Sequence, residues 1–355
     1  MLNKNFKEFK AEILQRCKAT NFYDNEYKKL TLAKSHQDIW TVLIANYQWI
    51  KQHNIIDELP NNFVLENDFV GTIDLSEQDL KQMTFSSILT GDLYLRNCNL
   101  NGVTLPKYIN GSIYLSGCTI NKNTLPQFVK EGIYLNGCTI NHKNLPQHIN
   151  GDLDLSLCNL EGISFPNYVG GTLFLNGCNT TGVILPKHIG GSLNLSYCKL
   201  QGATLPTFIG SYLDLRGCIL KDIILPTYVG GYLDLRECDI TNTELPKHIG
   251  GYLFLSGCVL NNLSLPRYMK GSLDVSLCDL KTTTLPTIIE GSLDVRKCDL
   301  ENIQLPLSIG QSLYMRNCNT KNTILPLSIG NCFDARDCDL SNTILPKFVG
   351  VYQQL

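Results

Sequence analysis

Cysteine stands at every twentieth position from Cys98 to Cys338, thirteen times without interruption, and a proline follows each by eight residues, from Pro106 to Pro346. These two columns hold all but two of the 15 cysteines and all but one of the 14 prolines. A short fixed period that admits no insertion restricts the chain to a solenoid, in which each repeat is one turn packed only against its neighbours. A single turn of this kind cannot hide both of its stacking faces, so the repeats are stable only as an array.

Residues 191–210, GSLNLSYCKLQGATLPTFIG, represent one turn. The alternation in Ser-Leu-Asn-Leu-Ser predicts a half-buried strand with Leu193 and Leu195 inward and Asn194 and Ser196 outward. Cys198, Leu200, Leu205 and Ile209 continue the interior after bends. Pro206 has no N–H to give to a ladder, which makes its side a corner or a loosely paired stretch. Glycine at 210 or 211 is expected to supply the turn into the next coil. The corners leave no room for a full helix within the repeat.

Residues 1 to about 58 follow another grammar, with no glycine and no 20-residue beat. Phe6, Phe9, Ile13 and Cys17 form one helical stripe. A second helix begins at Ser35, whose Ser-His-Gln-Asp is a variant of the capping box. Its apolar face runs through Ile39, Leu43, Tyr47 and Ile50, and both tryptophans, Trp40 and Trp49, are placed on it. Residues 1–70 are therefore expected to be a helical cap over the first coil, and residues 71–355 the solenoid.

Two families resemble this pattern. Leu193, Leu195, Cys198 and Leu200 form an L-x-L-x-x-C-x-L core similar to the strand segment of leucine-rich repeats, although Gly190 and Ile189 depart from that motif upstream. Cys-Asn-Leu-Asn-Gly (98–102), Cys-Asn-Leu-Glu-Gly (158–162) and Cys-Lys-Leu-Gln-Gly (198–202) resemble single sides of pentapeptide-repeat β-helices, while the Leu-Pro side departs from the five-residue rule. Repeat by repeat, residues 71–350 also resemble uncharacterised Leu-Pro-containing arrays of bacteria and their phages. These resemblances imply a mainly β chain, a right-handed parallel β-solenoid of 13–14 coils with a small helical cap; a curved leucine-rich-repeat horseshoe is the alternative.

A formal net charge of −2 provides no basic field for nucleic acid and no acidic excess for a mimic of DNA acting on a topoisomerase. No run approaches the 18 apolar residues that a membrane span requires, and Met1–Leu14 has no secretory character. Abundant cysteine without a signal segment points to free thiols in a cytoplasmic setting, or to delivery from there without a classical signal. The cysteine file lacks the clustering that zinc requires and the Cβ spacing that disulfides require. Small buried thiols are the expectation, with Cys332, off the file, as the reachable one. No phosphate loop or nucleophile motif stands out. No enzyme activity, cofactor, metal or catalytic residue is expected.

The residues that vary between the beats are the candidates for function. One outward column contains Tyr94, Tyr114, Tyr134, Asp214, Asp234 and Phe254, and the next contains Arg216 and Arg236. A third contributes Tyr212, Tyr232 and Tyr252. Tyrosine and arginine dominate binding hot spots, so these residues are the expected partner-binding face of a non-enzymatic protein scaffold. A carbohydrate-binding or carbohydrate-active β-helix is the alternative. A column from Tyr108 to Phe348, including His148, His188 and His248, is expected to stack as a ladder at the Leu-Pro corner. The last coil shows no polar cap, and self-association through it is the further expectation.

Overall fold

The repeats form a mainly β, parallel solenoid of about thirteen coils with roughly 20 residues per turn, and helix is confined, among the described residues, to the segment before it. The computed structural model describes residues 4–65, 68–121, 125–141, 145–146, 149–241, 243–260, 263–341 and 343–354. Its contacts divide the chain into two compact units, Met1–Asn159 and Leu160–Leu355.

In the first unit, α1 (Phe6–Ala19) buries Phe9, Ile13 and Cys17 along one stripe, and the Asn5 side chain caps it by accepting the Glu8 N–H at 3.0 Å. The Ser35 capping box is complete at the start of α3 (His36–Ala45): Ser35 Oγ accepts the Asp38 N–H at 3.1 Å, and the Asp38 carboxylate accepts the Ser35 N–H at 3.0 Å. Two features differ from the sequence expectation. Helix α2 (Asp24–Leu32) buries only Leu30, so it carries no apolar period from which it could have been read. The chain also breaks at Asn46, whose side chain donates back to Val42 O at 2.9 Å, and α4 (Tyr47–Gln52) follows. Trp40 and Trp49 therefore lie on two helices rather than one. Competition by an asparagine side chain for the backbone is the physical cause of the break.

The helices lie against the first turn. Trp40 and Phe63 rings are 6.1 Å apart, Gln48 Nε2 donates to Asp74 O at 3.3 Å, and Tyr47 Oη donates to Gln78 Oε1 at 3.2 Å. From there strands 73–74, 93–94, 113–114 and 132–134 pair in parallel, each offset by 20 residues from the last.

The second unit repeats one four-sided coil. Strand Leu193–Asn194 pairs with Leu213–Asp214, and Phe208–Ile209 with Tyr228–Val229. Between them Lys199 bridges Asn179 and Thr204 bridges Ile184, so pairing occurs on four sides. Two corners are tight turns whose third residue is left-handed. Cys198 N–H reaches Leu195 O at 3.1 Å with Tyr197 at φ 58°, and Ala203 N–H reaches Leu200 O at 2.8 Å with Gly202 at φ 69°. This is type II turn geometry. Leu193, Leu195, Cys198, Leu200, Leu205 and Ile209 are all buried, as the alternation predicts.

The glycine corner is required for another reason than turn freedom. A Cβ on Gly210 would lie 2.0 Å from Gly190 O, and one on Gly230 would lie 2.1 Å from Gly210 O. Successive coils touch backbone to backbone there, and any side chain would separate them. Gly182 contrasts with this: its φ is +69°, yet a Cβ would meet nothing within 4 Å. We therefore expect Gly210→Ala to lower the thermal midpoint well beyond Gly182→Ala, with overpacking costing about 1–3 kcal/mol against roughly 1 kcal/mol for left-handed strain alone. Equal midpoints in differential scanning calorimetry would remove the close-approach explanation.

Candidate interaction face

The cysteine file is internal structure. Leu195 O accepts the Cys198 N–H of its own turn at 3.1 Å and the Cys218 thiol of the next coil at 3.0 Å. Leu215 O does the same with the Cys218 N–H and the Cys238 thiol. A residue at this point must be small enough to fit inside the corner and must bring a donor, and cysteine meets both demands. Burial pushes the thiols of Cys218 and Cys238 up to about 12, far from a reactive thiolate. Cys332 is partly exposed as expected, but Cys338 is too, so the chain has two partly reachable thiols rather than one.

The aromatic ladder at the Leu-Pro corner is present in the second unit. Phe208 stacks on Tyr228 at 4.9 Å, and Tyr228 on His248 at 4.5 Å. His148 lies outside the described residues.

The candidate binding residues fall into two groups. In the first unit, Tyr94, Tyr114 and Tyr134 stack with centroids 4.2 and 4.5 Å apart and planes within 3° of parallel. In-register strands place successive side chains one above the other, which makes such stacking automatic. Arg96 spreads over this stack, 5.4 Å from the Tyr94 centroid and 5.2 Å from that of Tyr114. Tyr94 and Tyr134 also reach carboxylates, Asp92 at 3.4 Å and Asp152 at 3.3 Å. Burial first, and then neighbouring Tyr114 and these acids, push both phenols up to about 12. Arg96 holds the repeat position of Arg216 and Arg236, and its seat beside the rings is set by packing that no alternation encodes.

In the second unit, Tyr212 and Tyr232 stack at 4.6 Å, while Phe254 meets Tyr232 edge-on at 5.9 Å and stacks with Tyr252 at 5.4 Å. Asp214 and Asp234 alternate outward from the strand, yet they are only 4% and 3% exposed. The arginines cover them. Asp214 accepts the Arg216 N–H at 3.0 Å and its guanidinium at 2.8 Å. Asp234 accepts the Arg236 N–H at 3.1 Å and its guanidinium at 2.6 Å, and Arg216 Nε lies 3.4 Å from the same carboxylate. Arg236 in turn sits 5.3 Å from the Phe254 centroid. The Asp214 hydrogen bond raises the pKa of Arg216 further, and Asp234 does the same for Arg236. The result is one line, Asp214–Arg216–Asp234–Arg236–Phe254, with the guanidinium side chains still 37% and 40% exposed.

A third network lies at Asp334, where Asp-Ala-Arg (334–336) repeats the pattern of Asp-Leu-Arg at 214–216 and 234–236. Asp334 receives both Arg316, at 2.5 Å, and Arg336, at 3.0 Å. Tyr314 takes the aspartate position in the coil of Arg316, which leaves that arginine to pair diagonally with Asp334.

The two groups are each assembled within one unit. No model of a known protein family matches the chain, and no curated protein matches its sequence. No helix among the described residues is long and apolar enough to cross a membrane.

The thiol file has a measurable consequence. A thiol whose folded pKa is raised stays protonated in the folded chain and stabilises it below the ordinary value of 9.0. That stability is lost as pH rises from there towards about 12. The urea midpoint should therefore fall steadily above pH 9.0, and more shallowly in a Cys218→Ala/Cys238→Ala variant. Identical slopes would count against the thiols as the titrating groups.

Proposed function

We propose that the protein is a non-enzymatic scaffold that grips protein partners through strand-face residues of each unit, Tyr94, Tyr114 and Tyr134 in the first and, separately, Tyr212, Asp214, Arg216, Tyr232, Asp234, Arg236, Tyr252 and Phe254 in the second. The line from Asp214 to Phe254 carries this reading. It fixes two guanidinium groups and their aromatic neighbours before a partner arrives, while leaving their outer edges open. Side chains already held in place lose little entropy on binding, and arginine and tyrosine are the usual anchors of protein interfaces.

Carbohydrate is the weaker reading for a geometric reason. Sugars stack on open ring faces, whereas the faces of Tyr114 are taken by Tyr94 and Tyr134 at 4.2 and 4.5 Å. Tyr114 is left with its ring edge and hydroxyl, which suit a protein surface. Within the solenoid class we assign the coil to the pentapeptide type rather than the leucine-rich type. Supporting this are the left-handed residues at Tyr197 and Gly202, five positions apart, and pairing on four sides of the coil. Fifteen free thiols fit a reducing compartment.

Immobilised protein should retain a partner from host lysate in stoichiometric amount. A Lys187→Ala/Thr207→Ala control, altered on another side of the coil, should retain it equally. The Arg216→Ala/Tyr232→Ala/Arg236→Ala variant, with an unchanged circular dichroism spectrum, should retain at least roughly tenfold less, the loss expected when two hot-spot arginines and an aromatic are truncated. Equal retention by the triple variant, or binding to a glycan array in place of protein, would refute the assignment.

A further inference from the structure

The corner before each cysteine is left-handed throughout the described coils, and five coils place glycine there: Gly117, Gly137, Gly177, Gly217 and Gly257. Asn97, Asn317 and Asp337 tolerate the same conformation because their short polar side chains bond locally. Leu157, Tyr197 and Leu277 are different. They are bulky, strained at φ 61°, 58° and 62°, and 67%, 61% and 59% exposed. Glu77, Glu237 and Lys297 hold the same left-handed conformation, but with charged side chains suited to solvent. An exposed apolar side chain kept at a strained corner adds nothing to the coil and points to a role outside the fold.

Tyr197 has surroundings that define such a role. Its ring lies over the bare backbone of Gly217, where an added Cβ would fall 2.5 Å from Tyr197 Cδ1. Beside it opens a concavity of about 490 Å³ lined also by Lys199, Ile219, Lys221 and Asp222. Ile219 is 72% exposed in it. Both lysines are exposed. Elsewhere on this side of the coil lysines are paired: Lys281 with Asp299 and Lys321 with Glu301, each at 3.0 Å. Lys199 and Lys221 make no ion pair among the described residues, not even with adjacent Asp222. The groove thus combines an aromatic wall, an aliphatic floor and two unpaired lysines against one acid, Asp222.

We propose that this groove is a second docking site, which takes an extended acidic segment of a partner protein. An aliphatic side chain of the segment rests on Ile219 against the Tyr197 ring, and carboxylates to either side reach Lys199 and Lys221. Charge complementarity selects the acidic segment, and the apolar floor selects a peptide over a polyphosphate backbone, which has nothing to place on Ile219. The groove runs along the side of the coil that follows the strand face, with Tyr197 beside Arg216 at the corner between them, and it does not depend on that face binding anything.

A fluorescein-labelled peptide of alternating Asp and Leu is the probe, added to the full chain and followed by anisotropy. Saturable binding is expected, weakened at least roughly tenfold by Lys199→Glu/Lys221→Glu, since each lysine contributes one charge-assisted contact. Tyr197→Asn, which places at this corner the residue found at Asn97 and Asn317, should weaken binding to a similar degree while leaving the thermal midpoint unchanged or higher. A Tyr232→Ala/Arg236→Ala variant, altered on the strand face away from Tyr197, should bind the peptide like wild type. The proposal is overturned if wild type shows no saturable binding, or if an Asp–Ser peptide or oligothymidylate binds as tightly. It is equally overturned if Tyr197→Asn lowers the midpoint without affecting the peptide, or if the Tyr232→Ala/Arg236→Ala variant abolishes binding.

Discussion

One carbonyl per coil ties the repeat together. The strand-ending leucine, Leu195 in one turn and Leu215 in the next, offers its oxygen to the N–H that closes its own corner and to the thiol that rises from the following coil. A buried carbonyl with two lone pairs is best served by two donors, and here one donor is local and the other comes from the neighbour. The corner and the stacking are therefore the same interaction. A coil shifted by even one residue would present the wrong side chain to this oxygen and turn every inward leucine outward. The unbroken 20-residue period is the sequence trace of that constraint.

Exact stacking also creates a problem on the outside, because identical side chains meet at each strand spacing. The protein answers in two ways. Aromatic residues simply stack, as Tyr212 does on Tyr232 at 4.6 Å. Acids cannot, and Asp214 above Asp234 would repel if left alone. Arg216 lies between them, bonded to one and 3.4 Å from the other. The relief of like charge sinks the carboxylates beneath the guanidinium groups and leaves the arginines facing solvent. A face shaped by the needs of stacking thus becomes a rigid and chemically varied surface.

Much of this was readable from residues alone. The alternation of Leu193 and Leu195, the burial of Cys198, the cap at Ser35 and the stripe through Phe9, Ile13 and Cys17 all follow from local periodicity and capping chemistry. Helix α2 did not follow, because it has a single buried residue and no period. The break at Asn46 did not follow either, since the apolar face continues across it and only a side-chain bond to Val42 O interrupts the helix. On the candidate face, the columns describe Asp214 and Asp234 as outward, whereas both are buried. Their burial depends on how arginines fold back over them, which no alternation encodes. Tyr197 was read only as part of a repeat, because left-handed strain at a non-glycine residue leaves no mark in the sequence.

The sequence by itself determined the period, the inward residues and hence the solenoid, because a repeat that buries its leucines against copies of itself has only one way to stack. The tertiary structure decided the rest: why the corner glycines must lack a side chain, which acids lie beneath which guanidinium groups, and which lysines are left without a partner. Those outcomes depend on distances between coils 20 residues apart and on side-chain conformations across them. Such contacts exist only once the turns are stacked.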